Sequence, residues 1–153
     1  EYPRLKVLTS LPPYVEKRGS LMRLIGSYIE NNRATIEFVA INAFLPQNSE
    51  NGVLLHEFRR RIGTRYGLPT TLGFGPRYLH STGQFHKGGP NTGLFILLTA
   101  QRNQDLEIPG EGIGFGIFQR AQAIGDLQAL QAKGRKVIWI DLAASDLNIL
   151  LES

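Results

Sequence analysis

The sequence contains no cysteine among its 153 residues. Disulfides, thiolate metal ligands and cysteine nucleophiles are therefore excluded, and the absence fits a cytoplasmic protein. No apolar run approaches the roughly 20 residues that a transmembrane helix needs. The first ten residues, EYPRLKVLTS, also lack the charged start and the apolar stretch of a signal peptide. We therefore expect no membrane partner.

Methionine is nearly absent too, since Met22 is the only one and the sequence does not begin with methionine. We therefore expect an excised domain or a processed fragment of a larger protein. Its 42% of hydrophobic residues suffices for one globular domain with a core, spanning residues 1–153. This apolar content and a net charge of +4 are not typical of disordered chains.

Charge of one sign is only mildly in excess, with 17 basic against 13 acidic residues and a pI of about 9.6. This excess fits an anionic ligand such as a sugar phosphate, or nucleic acid. The densest basic run is EFRRRIGTR, residues 57–65. Because its apolar positions keep helical spacing and no aromatic residues are interleaved between Arg59 and Arg65, we predict a solvated helix face and no nucleic-acid partner.

Apolar, β-branched runs alternate along the chain with segments of helical periodicity. This alternation predicts an α/β fold with a parallel sheet of about four strands and right-handed crossovers. The strands are expected near residues 36–45, 70–74, 93–100 and 136–142.

Three segments between these strands or before them predict amphipathic helices. Their candidate apolar faces are Leu21, Leu24, Ile25 and Tyr28; then Leu54, Leu55, Phe58 and Ile62; then Phe118, Ala121, Ile124 and Leu127. Gly67 and Gly134 are placed to end the second and third helices.

The segment GPRYLHSTGQFHKGGPNTG, residues 75–93, is a poor helix and a poor strand, so we expect a flexible loop. It follows a predicted strand, where parallel α/β sheets bind their ligands. Its glycines allow backbone amides to approach an anion, and its imidazoles suit proton transfer near neutrality. The alternatives are structural roles for His80 and His86 and a solvated surface position for Lys87.

Several known motifs fail in this sequence. GEGIGFG lacks the dinucleotide-binding spacing, and GQFHKGG has Gly89 where a phosphate-loop lysine should follow. HEFRR begins at His56 like a zinc-protease helix but has Arg60 in place of the second histidine. His80 and His86 have no third ligand nearby, and no serine lies in a G-x-S-x-G turn. We therefore expect neither a metal nor a cofactor, and we expect His56 to lie on a helix surface.

Two stretches carry a resemblance to a known family. TTLGFGPRYLHSTGQFHKGGPNTGLFILLTAQ, residues 70–101, resembles the C-terminal part of glucose-6-phosphate isomerase, in the form fused to a transaldolase. FGIFQRAQAIGDLQALQAKGRKVIWIDL, residues 115–142, resembles the end of the same proteins. The resemblance implies a doubly wound sugar-isomerase (SIS) domain. It also implies the interconversion of glucose 6-phosphate and fructose 6-phosphate, a step of glycolysis and gluconeogenesis.

The same resemblance implies roles for individual residues. LHSTGQFHKGG places the catalytic, ring-opening histidine at His80 and implies substrate contacts from Gln84, His86 and Lys87. IFQRAQAIGD keeps a substrate-binding glutamine as Gln119.

One position departs from the family pattern, because Asp126 stands where these isomerases have a catalytic lysine. In the family, the proton-transferring glutamate, an arginine and the phosphate loop belong to segments upstream of the matched region. We therefore expect this chain to hold one wall of an active site and to be inactive alone. The remainder of the parent chain, or a second copy in a homodimer, would cover an apolar face. The alternative is a non-catalytic sugar-phosphate-binding module.

Overall fold

The computed structural model describes residues 6–9, 21–101, 105–142 and 147–152. In chain order the strands and α-helices are β1 Lys6–Thr9, α1 Leu21–Asn31, β2 Phe38–Phe44, α2 Ser49–Tyr66, β3 Thr70–Phe74, α3 Thr82–Gly88, β4 Gly93–Ala100, α4 Phe115–Ala132 and β5 Lys136–Leu142. Short 3₁₀ helices lie at Arg33–Thr35, Arg77–His80 and Leu147–Leu150. Among the helices of these residues, none has both the length and the apolar character needed to cross a membrane.

The strands form one sheet in the order β1-β5-β4-β2-β3. β2 to β5 are parallel throughout, with Ile41 opposite Ile96 and Ile96 opposite Ile138 at the centre. The predicted parallel α/β fold and its four strands are therefore confirmed. β1 was not predicted, and it pairs antiparallel with β5, with Lys6 opposite Asp141.

The strand order places a switch point between β2 and β4. From β2 the chain crosses to β3 on one side, and from β3 it returns past β2 to β4 on the other side. In open parallel sheets, the crevice at such a switch point, beyond the carboxyl ends of the strands, is where ligands bind. The carboxyl ends of β2 and β4 therefore define the candidate location for a site.

One face of the sheet is covered by α1, α2 and the 3₁₀ helix Leu147–Leu150. The predicted faces of α1 and α2 pack there, with Ile25, Phe58 and Ile62 fully buried. As predicted, Gly67 ends α2 in the left-handed conformation, with φ of 60°. These two helices follow their sequence periodicity closely because their faces toward the sheet are mainly apolar.

The opposite face is covered by α3 and α4, and here the predicted apolar face of α4 is confirmed at Leu127 but wrong at Phe118 and Ala121. Phe118 is 48% exposed and Ala121 is also exposed, whereas the residues of α4 that are buried are Ala123, Asp126, Leu127 and Leu130. Polar contacts set this rotation, because Arg120 pairs with a buried aspartate of β5 and Asp126 binds Tyr78. The periodicity of the apolar residues does not reveal that polar residues of α4 face the sheet.

The expectation of a flexible loop over residues 75–93 is also wrong. The segment contains the 3₁₀ turn Arg77–His80 and the helix α3. Buried Tyr78 and His86 fix it to the sheet, and Gly83 allows the turn to approach the Tyr78 carbonyl, where a Cβ would stand 2.9 Å from the oxygen. Tertiary contacts thus outweigh the low helix propensity of the glycines.

The basic run on α2 is largely satisfied within the chain. Arg60 and Arg61 both pair with Glu57, at 2.8 and 2.9 Å. Arg59 donates to the Thr70 carbonyl and Arg61 donates to the Leu151 carbonyl. His56 is exposed on the same helix, as predicted.

Candidate functional site

The glycine-rich segment leaves the sheet at the carboxyl end of β3, next to the switch point. Gly75 continues the pairing with β2 by donating its backbone N–H to the Ala43 carbonyl at 2.8 Å. The ring of Phe44 occupies the space that a side chain at Gly75 would need. Glycine therefore brings the chain close to β2 before it turns into the 3₁₀ helix.

His80, the predicted catalytic residue, is the last residue of the turn Arg77–His80 and is exposed. Gln84, predicted to bind substrate, is exposed on the following helix, α3, and its Nε2 donates to the Leu79 carbonyl at 3.1 Å. The structure thus presents an imidazole and an amide on the solvent side of residues 77–88, which we call the His80 segment.

His86, also predicted to bind substrate, lies on the inner side of the same segment. It is 5% exposed, and its ring lies 4.9 Å from that of Phe95 and 5.9 Å from that of Tyr78. Its Nδ1 is buried without a hydrogen-bond partner. Burial lowers the pKa of His86, with a smaller opposing contribution from Asp126. The imidazole is therefore held in its neutral form within the layer between the sheet and the helices.

Lys87 and Tyr78 converge on the buried carboxylate of Asp126. The Lys87 ammonium lies 2.5 Å from Oδ1 as an ion pair, without the alignment of a hydrogen bond, and the Tyr78 hydroxyl donates to Oδ2 at 2.5 Å. Burial and the adjacent Asp126 raise the pKa of Tyr78, so its hydroxyl remains a donor. Sequence reasoning singled out Lys87 and Asp126 separately but gave no sign that they meet, and it missed Tyr78.

Gln119, the remaining predicted site residue, lies in the second turn of α4. Its Nε2 donates to the Gly75 carbonyl at 3.2 Å. This bond joins the beginning of α4 to the carboxyl end of β3. The five predicted site residues thus lie around the same layer, but on different sides of it, with His80 and Gln84 facing out and His86 facing in.

A second buried polar network, which sequence reasoning missed, lies at the carboxyl ends of β4 and β5. Asp141 is 2% exposed and pairs with the Arg120 guanidinium through two bonds of 2.8 and 2.7 Å. The Thr99 hydroxyl donates to Asp141 at 2.7 Å and accepts from the Trp139 indole at 2.9 Å. The hydrogen bond to Asp141 raises the pKa of Arg120. These residues have no local motif, because the contacts join positions far apart in the sequence.

The N-terminus of α4 binds a carboxylate of the chain itself. Asp105 accepts from the backbone N–H groups of Gly116 and Ile117, at 2.6 and 3.2 Å. Helix N-termini attract anions because their first N–H groups lack partners. Asp105 therefore occupies the position that a ligand phosphate could otherwise take at this helix. In the part of the chain that the structure describes, no group of three or more His, Asp or Glu residues could hold a metal ion.

No protein-family model and no curated protein matches the chain. Among solved structures, it is similar to the crystal structure of a hypothetical protein, TT0462, from Thermus thermophilus, with a TM-score of 0.66 and 21% sequence identity. The match covers 82% of this chain and 34% of that one, so the chain spans about a third of the length of that protein. At this identity the similarity supports the α/β fold alone and gives no information on the chemistry of the site.

Proposed function

We propose that the chain is the C-terminal, SIS-like domain of a sugar-phosphate isomerase that interconverts glucose 6-phosphate and fructose 6-phosphate. One observation carries this proposal: the two stretches that resemble such isomerases, 70–101 and 115–142, meet in one layer. Gln119 binds the Gly75 carbonyl, and Asp126 binds Tyr78 and Lys87. Residues far apart in the sequence thus pack together, from Gly75 and Gln119 at the carboxyl end of β3 to Lys87, whose carbonyl binds Arg135 just before β5.

His80 is proposed as the acid–base group for ring opening. In this step a proton leaves the anomeric hydroxyl and a proton reaches the ring oxygen. The bond between C1 and the ring oxygen breaks, and the anomeric oxygen becomes the carbonyl of the open-chain aldehyde. His80 places an exposed imidazole at the carboxyl side of β3, and histidine is the side chain that most often performs such transfers. The later proton transfer from C2 to C1 is assigned to a carboxylate outside this chain. Because the isomerisation moves protons without net oxidation, we propose that no cofactor takes part.

The contact of Lys87 with Asp126 explains how an aspartate can replace the family lysine at position 126. Its ammonium lies 2.5 Å from the Asp126 carboxylate, and its side chain is 25% exposed. A cation from α3 therefore reaches the α4 position at which the resembling proteins have one. We include in the proposal a cytoplasmic location and substrate contacts from Gln84 and Gln119.

The test is a coupled assay of glucose 6-phosphate turnover with the full-length protein that contains this chain. His80→Ala should lower kcat by roughly 10²–10⁴, the usual loss for a positioned acid–base group. His56→Ala, a matched substitution of an exposed histidine on α2, should leave kcat unchanged. The 153-residue chain alone should show no turnover, because the carboxylate base lies outside it. Full activity of His80→Ala would contradict the assignment.

A non-catalytic sugar-phosphate-binding module is the second candidate. The observation that favours it is Asp126, a negative charge in place of a catalytic lysine, with Lys87 held in an ion pair. Titration calorimetry with fructose 6-phosphate on the full-length protein would then show binding, while the coupled assay shows no turnover.

A further inference from the structure

Asp126 is a buried carboxylate of the layer that carries the His80 segment. Its side chain is 2% exposed, and its two oxygens bind two different parts of that segment. Tyr78, which binds Oδ2, belongs to the 3₁₀ turn that ends at His80. Lys87, which binds Oδ1, belongs to α3. One carboxylate on α4 therefore holds both ends of a short segment.

Several of the residues between Tyr78 and Lys87 face solvent, whereas Gly83 and His86 are buried. His80 and Gln84 lie between Tyr78 and Lys87 in the sequence and are exposed. Arg135 also holds the C-terminal end of the segment, since its guanidinium donates to the carbonyls of Lys87 and Gly89, both at 2.7 Å. The backbone of His80 is thus only two residues from a side chain that is fixed to α4.

The ion pair between Asp126 and Lys87 is not needed to fill space in the layer. A buried ion pair is often no more stabilising than apolar side chains of the same volume, because both charges lose their hydration. It does impose a single geometry, since the carboxylate must face the ammonium and the hydroxyl at once. Apolar residues such as Phe44 and Leu127 pack in the same layer without such a constraint. The ion pair therefore suits a positioning role better than a purely stabilising one.

We propose that Asp126 is a positioning residue that sets the orientation of His80 by anchoring Tyr78 and Lys87 to α4. This inference rests on the proposed role of His80. Displacement of an acid–base group by about 1 Å can lower the rate by up to about 100-fold without abolishing binding. Loss of the Asp126 charge should therefore affect kcat more than KM.

The test compares Asp126→Asn with Tyr78→Phe and with the double variant in the full-length protein. Asp126→Asn keeps an oxygen for the Tyr78 hydroxyl but removes the charge that holds Lys87, and Tyr78→Phe removes the hydroxyl alone. We expect each to lower kcat about 10- to 100-fold with KM changed less than about threefold. The double variant should lose less than the product of the two, because both act through one contact. Hydrogen exchange should rise in residues 77–88 more than elsewhere.

Asp141→Asn is the matched control. It neutralises a carboxylate of similar burial in the same layer, but one paired with Arg120 and Thr99. It should lower the melting temperature as Asp126→Asn does while leaving kcat of the folded fraction near the unsubstituted value. Full kcat in folded Asp126→Asn, with His80→Ala impaired, overturns the inference and leaves the proposed function standing. Equal kcat losses in Asp126→Asn and Asp141→Asn also overturn it. If His80→Ala is fully active, the proposed function fails first.

Discussion

Two buried carboxylates, Asp126 and Asp141, show how single residues decide the interior of the α4 layer. Each faces a cation, Lys87 or Arg120, and each also accepts from a hydroxyl. An unpaired carboxylate at these positions would lose several kcal/mol of hydration free energy without a partner charge or hydrogen bond to offset the loss. A carboxylate can therefore face the sheet only where a cation or hydrogen-bond donors meet it there.

His86 is a buried residue without such compensation, and its titration should be measurable. Because burial lowers the pKa of His86, the unfolded chain binds a proton more readily than the folded chain. Stability should therefore fall as the pH drops from the unfolded value of about 6.5 towards the lower folded value. In His86→Leu this part of the pH dependence should disappear.

The measurement is the urea midpoint of each variant at about pH 7 and about pH 5. His56→Leu removes an exposed imidazole from α2 and serves as the control; it should keep the dependence of the unsubstituted chain. An unchanged difference between the two pH values in His86→Leu would show that His86 does not lose its proton on folding.

At the scale of the element, helix α4 contains a glycine that its fold does not require. Gly125 lies within α4, and a Cβ there would meet nothing within 4 Å. Gly134, just beyond the helix, is equally open but has φ of 64°. Gly125→Ala should stabilise the chain by about 0.5–1 kcal/mol, since alanine loses less backbone entropy. Gly134→Ala should destabilise it by about 1–2 kcal/mol, since it strains a left-handed residue.

Thermal unfolding of both variants measures these opposite effects. The pair is informative because space is the same at the two positions and only the backbone conformation differs. Shifts of the same sign would mean that α4 ends differently from the structure described.

At the scale of the whole molecule, apolar side chains are exposed at the start of α4 and in the loop before it. This apolar patch comprises Leu106, Ile113, Phe115, Ile117 and Phe118, which are 38–73% exposed. The backbone brings its two parts together, since Phe115 donates to the Leu106 carbonyl at 2.9 Å. Large contiguous patches of exposed apolar side chains are uncommon in monomeric soluble proteins.

The chain alone should therefore bind an apolar fluorescent dye. Ile117→Gln should reduce the dye signal and change stability by less than about 0.5 kcal/mol, because Ile117 is 59% exposed. Val53→Gln changes an exposed side chain on α2, outside the patch, and should leave the signal unchanged. Equal dye binding by all three chains would contradict a role for the patch.

The sequence by itself determined the class of fold and most of its elements. Continuous apolar runs predicted the four parallel strands, and helical spacing predicted α1 and α2 with their buried faces. Both patterns succeed because burial of apolar surface is decided locally, by which side chains share a face. The candidate residues His80 and Gln119 came from a resemblance, and their proposed roles remain predictions.

Only the tertiary structure decided the rotation of α4, the helix within residues 75–93, strand β1 and the partners of the predicted site residues. Phe118 was expected inside and is exposed, while Asp126 is inside because Tyr78 and Lys87 meet it there. Such contacts join residues about 40 or more positions apart, and their energy depends on all partners arriving together. No local pattern of apolar residues, charges or glycines indicates which distant residues will meet in the fold.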